Sequence, residues 1–375
     1  MNKLISKIKR YFKKINLVFI VHSPQLWHSL KTICDSAIKD RKFNVYILTF
    51  DSFSNECYSF FHQEYGNKRC SIIKYTNQQE FDKIKADYIF FQVPYMRFYP
   101  NIDHKTIFEN YKVCYMHYGM LLFAGDIEKT VLGGSCDFFS KLNFIFAESD
   151  FIAKKYLEYH PKANVVMSGY PRFDEIGNDF NNYIKNKKFN IIWTPRWEMH
   201  SHTCNFFDYK DLLLDYAKSN SDIDFMFRPH PLALKNYVQS QAISQEEIDN
   251  YLKNFDDKSR IKIDLDENYI KKFCTSNLLI TDMTSLIAEY FFIGKPIIYC
   301  NKTNVFNEFG LEIAKGLYWA NNWQELKETI EMLKTGKDPL LKTRQKIIKE
   351  LLFLKPKGAG NFIKNFLKKD FKKNH

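Results

Sequence analysis

Short apolar runs recur along the chain, separated by stretches in which apolar residues return every three or four positions. Runs at 16–21, 44–50, 71–75, 88–93, 113–116, 144–147 and 164–168 have the length and content of strands buried on both faces. The intervening stretches, such as 26–38, 79–84 and 150–159, carry helical spacing. A second series follows, with strands at 190–194, 224–228, 261–263 and 278–280 and helices at 208–218, 245–255, 268–274, 323–334 and 342–354. Strand alternating with helix predicts a parallel, doubly wound sheet, and here it predicts two. The polar segment 178–188 reads as a linker. The expected organisation is a Rossmann-like domain over 1–176, a second over 188–350 and a basic helix over 351–375.

The stretch 277–301 is the most informative. Leu278, Leu279 and Ile280 suit a buried strand, and Leu286, Ile287, Tyr290 and Phe291 form a helical stripe. Gly294 and Pro296 stop that helix before Ile297 begins another strand. Asp282, Thr284 and Ser285 fall where the helix starts, and each can cap free backbone N–H groups. A hydroxyl-lined helix start at the carboxyl end of a parallel strand also suits phosphate. Cap and phosphate holder are both open readings of these residues.

Charge changes the picture at the ends of the chain. The net charge is +12. Residues 1–14 hold six Lys and Arg and no acid, and the last twenty-one hold seven Lys against Asp370, so the body between is neutral. Both ends are amphipathic: Leu4, Ile5, Ile8, Tyr11 and Phe12 share one face, and Phe362, Ile363, Phe366, Leu367 and Phe371 another. Such ends suit an anionic membrane surface; the alternative is docking on the protein with the lysines reaching into water. No nucleic-acid motif accompanies the charge, so no nucleic-acid partner is expected. The eight cysteines show no CxxC spacing and read as buried thiols of a reducing compartment. The apolar run 15–21 is short for a signal peptide, and no run reaches spanning length. A cytoplasmic protein, peripheral on the inner face of the membrane, is expected.

Candidate chemistry clusters after strands. Phe227-Arg228-Pro229-His230-Pro231 closes one, with an arginine fork for phosphate oxygens and a histidine held by two prolines. Trp193-Thr194-Pro195-Arg196-Trp197 closes another, with Arg196 available to a pyrophosphate. His117, in Tyr115-Met116-His117-Tyr118-Gly119, would serve as general base on an acceptor hydroxyl. His22, Ser23 and Gly119 are candidates for acceptor binding. Arg228 and His230 are expected on a strand neighbouring that of Thr284 and Ser285, forming one wall of a pyrophosphate site. Glu289, further along the same helix, is a candidate for ribose hydroxyls. His200, His202 and Cys204 have metal-ligand types without a fourth ligand, and Asp264-Leu265-Asp266 reads as a helix cap and solvated acid. No metal site is therefore assigned.

Taken together, His117-Tyr118-Gly119, Gly169-Tyr170-Pro171-Arg172, Thr194-Pro195-Arg196-Trp197, Arg228-Pro229-His230-Pro231, Thr281-Asp282-Met283-Thr284-Ser285 and Gly294-Lys295-Pro296 resemble the CDP-glycerol glycerophosphotransferase family. This is the family of teichoic-acid primases and polymerases and their capsule-synthesis relatives. The resemblance covers about residues 110–300. Tyr118 separates His117 from Gly119, and Thr284 stands for the first of the family's paired serines. The resemblance implies an α/β GT-B fold, two Rossmann-like doubly wound domains facing a cleft. It implies transfer of glycerol phosphate, or a related alditol phosphate, from a CDP-linked donor to a hydroxyl of a glycan or lipid-linked glycan, releasing CMP. On it, His117 is the base, His230 meets the donor pyrophosphate, and Thr284 and Ser285 hold phosphate. No cofactor is expected beyond the CDP-linked substrate, with a divalent ion not required or weakly stimulating. The competing readings are a GT-B glycosyltransferase using a nucleotide sugar and a non-catalytic glycan-assembly protein.

Overall fold

The structure is a computed structural model. It describes residues 13–50, 56–133, 136–180, 188–197, 204–256, 258–266, 269–300, 305–352 and 355–374. The chain forms two compact units. The first takes the described residues of Met1–Met120, Asp126–Glu175 and Leu352–His375; the second takes those of Leu121–Gly125 and Ile176–Leu351.

The first unit is built on a seven-stranded sheet in the order β3-β2-β1-β4-β5-β6-β7, with every neighbouring pair parallel. The strands are β1 (Ile15–Val21), β2 (Phe43–Thr49), β3 (Ser71–Lys74), β4 (Tyr88–Phe91), β5 (Lys112–Met116), β6 (Phe144–Ala147) and β7 (Val165–Met167). The central strands are buried on both faces, which is why they read as unbroken apolar runs. The order reverses between β1 and β4, and ligands of open parallel sheets sit beyond the carboxyl ends at such a point. His22 and Ser23 follow β1 there. Their backbone N–H groups both donate to Gln92 Oε1, at 3.0 Å each, and Gln92 Nε2 donates to Ser23 O at 2.6 Å.

The second unit has six parallel strands in the order β10-β9-β8-β11-β12-β13. They are β8 (Phe189–Thr194), β9 (Ile223–Phe227), β10 (Ile261–Ile263), β11 (Leu278–Thr281), β12 (Ile297–Cys300) and β13 (Tyr318–Ala320). Here the reversal lies between β8 and β11. Their last residues pair, and Thr194 Oγ1 donates to Thr281 Oγ1 at 2.8 Å. Arg196 and the Asp282–Ser285 turn therefore leave the sheet side by side. The expected adjacency of Arg228 to that turn is corrected: β8 stands between β9 and β11. Leu121–Gly125 belongs to this unit through an antiparallel bridge of Phe123 with Phe306 and a bond from Asn307 Nδ2 to Leu121 O.

Two expectations about the chain's ends and middle change. The polar stretch beginning at 178 is not linker throughout, because a helix runs over Pro171–Phe180; residues 181–187 lie outside the described residues. The helix Ala359–Asn374 docks on the first unit. Asp174 caps it, its carboxylate accepting from the N–H groups of Ala359 and Gly360 at 2.8 Å each. A Cβ on Gly360 would stand 2.4 Å from the backbone of Thr32, so only glycine allows this approach. Ile363, Leu367 and Phe371 are buried, and the Phe366 ring meets Phe144 and Phe146 edge-on. Lys368 pairs with Asp40 at 2.7 Å while Asp370 takes Lys112 at 2.5 Å. The apolar face assigned to a membrane is thus spent on protein, because amphipathic patterning does not distinguish the two partners. Leu4, Ile5, Ile8, Tyr11 and Phe12 lie outside the described residues.

Candidate active site

In the second unit the site grows from the carboxyl ends of β8, β9 and β11. Arg228 follows β9, and its N–H donates to Trp193 O at 2.8 Å, which fixes the backbone. Its guanidinium donates to Asp264 Oδ2 at 2.5 Å and to Asp266 O at 2.9 Å. Its planar face lies over the Tyr269 ring, 4.5 Å from the centroid. Asp264 also pairs with Lys272 and is 2 % exposed. Asp264 is therefore not a solvated acid and caps no helix, because two cations converge on it from other elements and its Oδ1 accepts from the Asp266 N–H at 3.1 Å; Asp266 is the exposed acid of the pair. A buried carboxylate held by two cations locks the guanidinium before any ligand arrives.

His230 lies two residues on. Its Nδ1 accepts from the Leu232 N–H at 3.1 Å. In the neutral ring this leaves the proton on Nε2, as a donor. Its ring stacks on Trp197 at 5.6 Å. Loop atoms packed around the ring, and then the charges of Arg196 and Arg228, lower its pKa to about 4, so it is neutral near pH 7. The residue still keeps exposed surface. A neutral N–H donor beside a fixed guanidinium suits an oxyanion of phosphate.

Arg196 is tied to the β11 turn, with Nη1 donating to Met283 O at 3.0 Å. Asp282 is buried, and its Oδ2 accepts from the N–H of Asn205 at 2.9 Å. Burial pushes Asp282 up to about 7, against the pull of the N–H groups of Arg196 and Asn205. Asp282 holds the loop after β8 and is not a helix cap, contrary to expectation. Thr284 does cap, weakly: Leu286 N donates to its Oγ1 at 3.3 Å. Ser285 occupies the cap position with helical backbone angles and no side-chain cap bond, and it is exposed. So of the three caps expected, one forms. Ser285 keeps its hydroxyl at the surface because its φ of −65° and ψ of −18° already continue the helix Leu286–Phe292. Glu289 is buried on that helix and accepts from Tyr269 OH at 2.8 Å, which links it through the Tyr269 ring to Arg228. Lys295 bonds the carbonyls of Cys274 and Ser276 and thereby closes the end of the helix Ile270–Thr275.

The first unit brings together a different set. His117 follows β5 and is 5 % exposed. Its Nδ1 contacts Gly119 O, and its Nε2 has no hydrogen-bond partner among the described residues. The Gly119 N–H also points at Nδ1, at 3.2 Å, so the ring's tautomer sets its role: in the one that donates Nδ1–H to Gly119 O, Nε2 carries the lone pair a base needs. Burial lowers His117 to about 4, so it is neutral near pH 7. The Tyr118 ring stacks on it at 4.6 Å. His22 is buried, stacked on Phe98 at 4.6 Å, and burial lowers it to about 4. Ser23 Oγ donates to Gln25 Oε1 at 2.6 Å. Glu148, one residue past β6, is a buried acid that the strand pattern passes over; the sole signal is a carboxylate at the carboxyl end of an apolar run. Among the described residues no group of His, Cys, Asp or Glu is arranged to hold a metal ion; His200 and His202 lie outside them. No described helix is long and apolar enough to cross a membrane.

Residues 139–304 match the sequence model of the family CDP-glycerol:poly(glycerophosphate) glycerophosphotransferase. That segment is similar to the family. It is the family the motifs resemble, and the matched segment holds Arg196, Arg228, His230, Asp282, Thr284, Ser285 and Glu289 but not His117. The fold is that of solved GT-B proteins. The wall teichoic acid polymerase TagF, in a structure soaked with CDPG, superposes at a TM-score of 0.64 and 14% identity over 96% of this chain and 90% of that one. A UDP-GlcNAc 2-epimerase from Neisseria meningitidis bound to UDP-GlcNAc gives 0.65 and 12% over 96% and 100%. A putative UDP-N-acetylglucosamine 2-epimerase from Listeria monocytogenes gives 0.63 and 13% over 96% and 97%. No curated protein sequence matches the chain significantly.

Proposed function

We propose that the protein transfers glycerol phosphate, or a related alditol phosphate, from a CDP-linked donor to a hydroxyl of a cell-surface glycan or its lipid-linked form, with release of CMP. One observation carries the reading: the second unit presents a locked guanidinium (Arg228), a neutral N–H donor (His230) and an unspent hydroxyl (Ser285) beyond one sheet edge, within the family-matched segment. These are the groups a pyrophosphate needs. In the reaction, His117 Nε2 takes the proton of the acceptor hydroxyl, the oxygen bonds to the alditol-side phosphorus, and the bond from that phosphorus to the CMP oxygen breaks. Arg228 and the His230 N–H stabilise charge on departing CMP. Thr284 and Ser285 hold donor phosphate. We assign the reaction to the cytoplasmic face, with the basic stretch 1–14 as the segment that would meet anionic lipid.

The test is to incubate the purified protein with CDP-glycerol, CDP-ribitol and UDP-sugars. CMP release from a CDP-alditol is expected. UDP release alone would assign the protein to nucleotide-sugar chemistry instead. Deleting residues 1–12 should lower sedimentation with anionic vesicles, and unchanged sedimentation would remove the membrane assignment.

A further inference from the structure

Four buried polar groups of the first unit have atoms without a hydrogen-bond partner among the described residues. They are both carboxyl oxygens of Glu148, the hydroxyls of Tyr115 and Tyr156, and His117 Nε2. Glu148 is 2 % exposed, and Tyr115 and Tyr156 are fully buried. Folded proteins leave few such atoms, and seldom several together. Here the topology gathers them. Tyr115 and His117 lie on and just past β5, which pairs with β6 in the register Tyr115↔Ile145 and Met116↔Phe146. Glu148 leaves the carboxyl end of β6, and Tyr156 lies on the helix Asp150–Tyr159 that follows. Tyr115 and Tyr156 each pack against Phe139, with ring centroids 5.5 Å apart. Burial, and then the charge of Glu148, holds the Tyr156 hydroxyl well above the usual phenol value.

The chemistry of this set selects its ligand. Among the described residues no cation pairs with Glu148, so an anionic ligand would find no counter-charge there. Among the described residues no group of three or more His, Cys, Asp or Glu is arranged there to hold a metal ion. An apolar ligand would leave every polar atom unsatisfied. A polyol fits: each hydroxyl both donates and accepts, a carboxyl takes two of them, and the aromatic walls of Tyr115, Tyr118 and Phe139 suit the C–H faces between.

We propose that Glu148, with the hydroxyls of Tyr115 and Tyr156, binds the polyol end of the acceptor and presents its attacking hydroxyl to His117 Nε2. The proposal rests on the transfer reading above for the role of His117. Glu148 changes no covalent bond. It holds a hydroxyl next to the reacting one, whose proton passes to His117.

The experiment reads polyol binding directly, so that it is separate from turnover. Saturation-transfer NMR with glycerol and ribitol is expected to show signal with the full chain. The signal should be retained in Arg228→Ala and lost at least tenfold in Glu148→Gln and in Tyr156→Phe, both of which preserve shape. Equal signal in wild type and both variants, or none in wild type, overturns the polyol site. CMP release from CDP-glycerol is measured alongside. Polyol binding without CMP release keeps the site and removes the transfer reading; CMP release with polyol binding unaffected by Glu148→Gln does the reverse.

Discussion

The two sheet edges are built on opposite principles. Beyond β8, β9 and β11 the charged side chains are held by other protein groups: Arg228 by Asp264, Arg196 by Met283 O, and Asp282 through Oδ2 by Asn205, its Oδ1 having no hydrogen-bond partner among the described residues. Beyond β5 and β6, His117 Nε2, the Glu148 carboxyl oxygens and the Tyr115 and Tyr156 hydroxyls have no hydrogen-bond partners among the described residues. The first arrangement is preorganised, and its energy is already stored in ion pairs and hydrogen bonds when phosphate arrives. The second leaves hydrogen-bonding capacity for a ligand to satisfy, at the expense of stability without one. A nucleotide donor keeps one head group, whereas acceptors vary. A rigid edge suits the former and an unsatisfied one the latter.

The comparison breaks first at the rigid edge. Arg228→Ala and His230→Ala each remove a donor to developing charge and should lower kcat/KM for the CDP-linked donor about a thousandfold. Asp264→Asn, which weakens the lock without removing the fork, should fall between them and wild type. If Asp264→Asn matched wild type, preorganisation by the buried carboxylate would be refuted. At the other edge, His117→Gln should lower kcat about a hundredfold while leaving calorimetric donor affinity unchanged. A donor affinity that fell with kcat would place His117 in donor binding and erase the division of labour.

How far these edges are legible in the amino-acid sequence differs in the same way. Arg228, His230, Thr284 and Ser285 stand in short strand-turn-helix motifs, where local spacing sets position. Glu148 does not: it adjoins Ser149 and Asp150, and three polar residues before a helix look like a cap, which Ser149 indeed is. Its burial, at 2 % exposure, is set by tertiary packing that a local cap pattern does not reveal. Asp264 misled for a like reason, since Arg228 and Lys272 reach it from outside its own loop. Most strands were readable because they are plain apolar runs; β13, a three-residue strand at a sheet edge with two residues half-buried, was not. The helices His104–Asn110 and Pro171–Phe180 were not, because each carries a polar sequence with few apolar anchors.

A third test acts on one edge only. The C-terminal helix supports β6 through Phe366 on Phe144 and Phe146. Gly360→Val would press against the backbone of Thr32 and cost about 3 kcal/mol of first-unit stability. Calorimetry should show the first unit melting earlier while CDP binding at low temperature persists. Simultaneous loss of CDP binding would mean that the donor edge depends on this helix.

The smallest effect separates the two edges by pH. Burial raises the Glu148 carboxyl to about 7 from an ordinary value of 4.5. Between those values the folded chain holds a proton that the unfolded chain has released, so stability falls as pH rises through this window. The loss is at most about 3 kcal/mol by the time the carboxyl has ionised. Glu148→Gln removes it, so the variant should melt a few degrees above wild type at pH 8 and level with it at pH 4.5. Asp282 has the same sign, with its pKa raised to about 7, but its carboxylate accepts the N–H groups of Arg196 and Asn205. Asp282→Asn disturbs those bonds as it removes the charge, so its gain at pH 8 should be smaller. Equal gains for the two variants at pH 8 would show that the partners of Asp282 contribute nothing, and the contrast between a satisfied edge and an unsatisfied one would then fail at its most sensitive point.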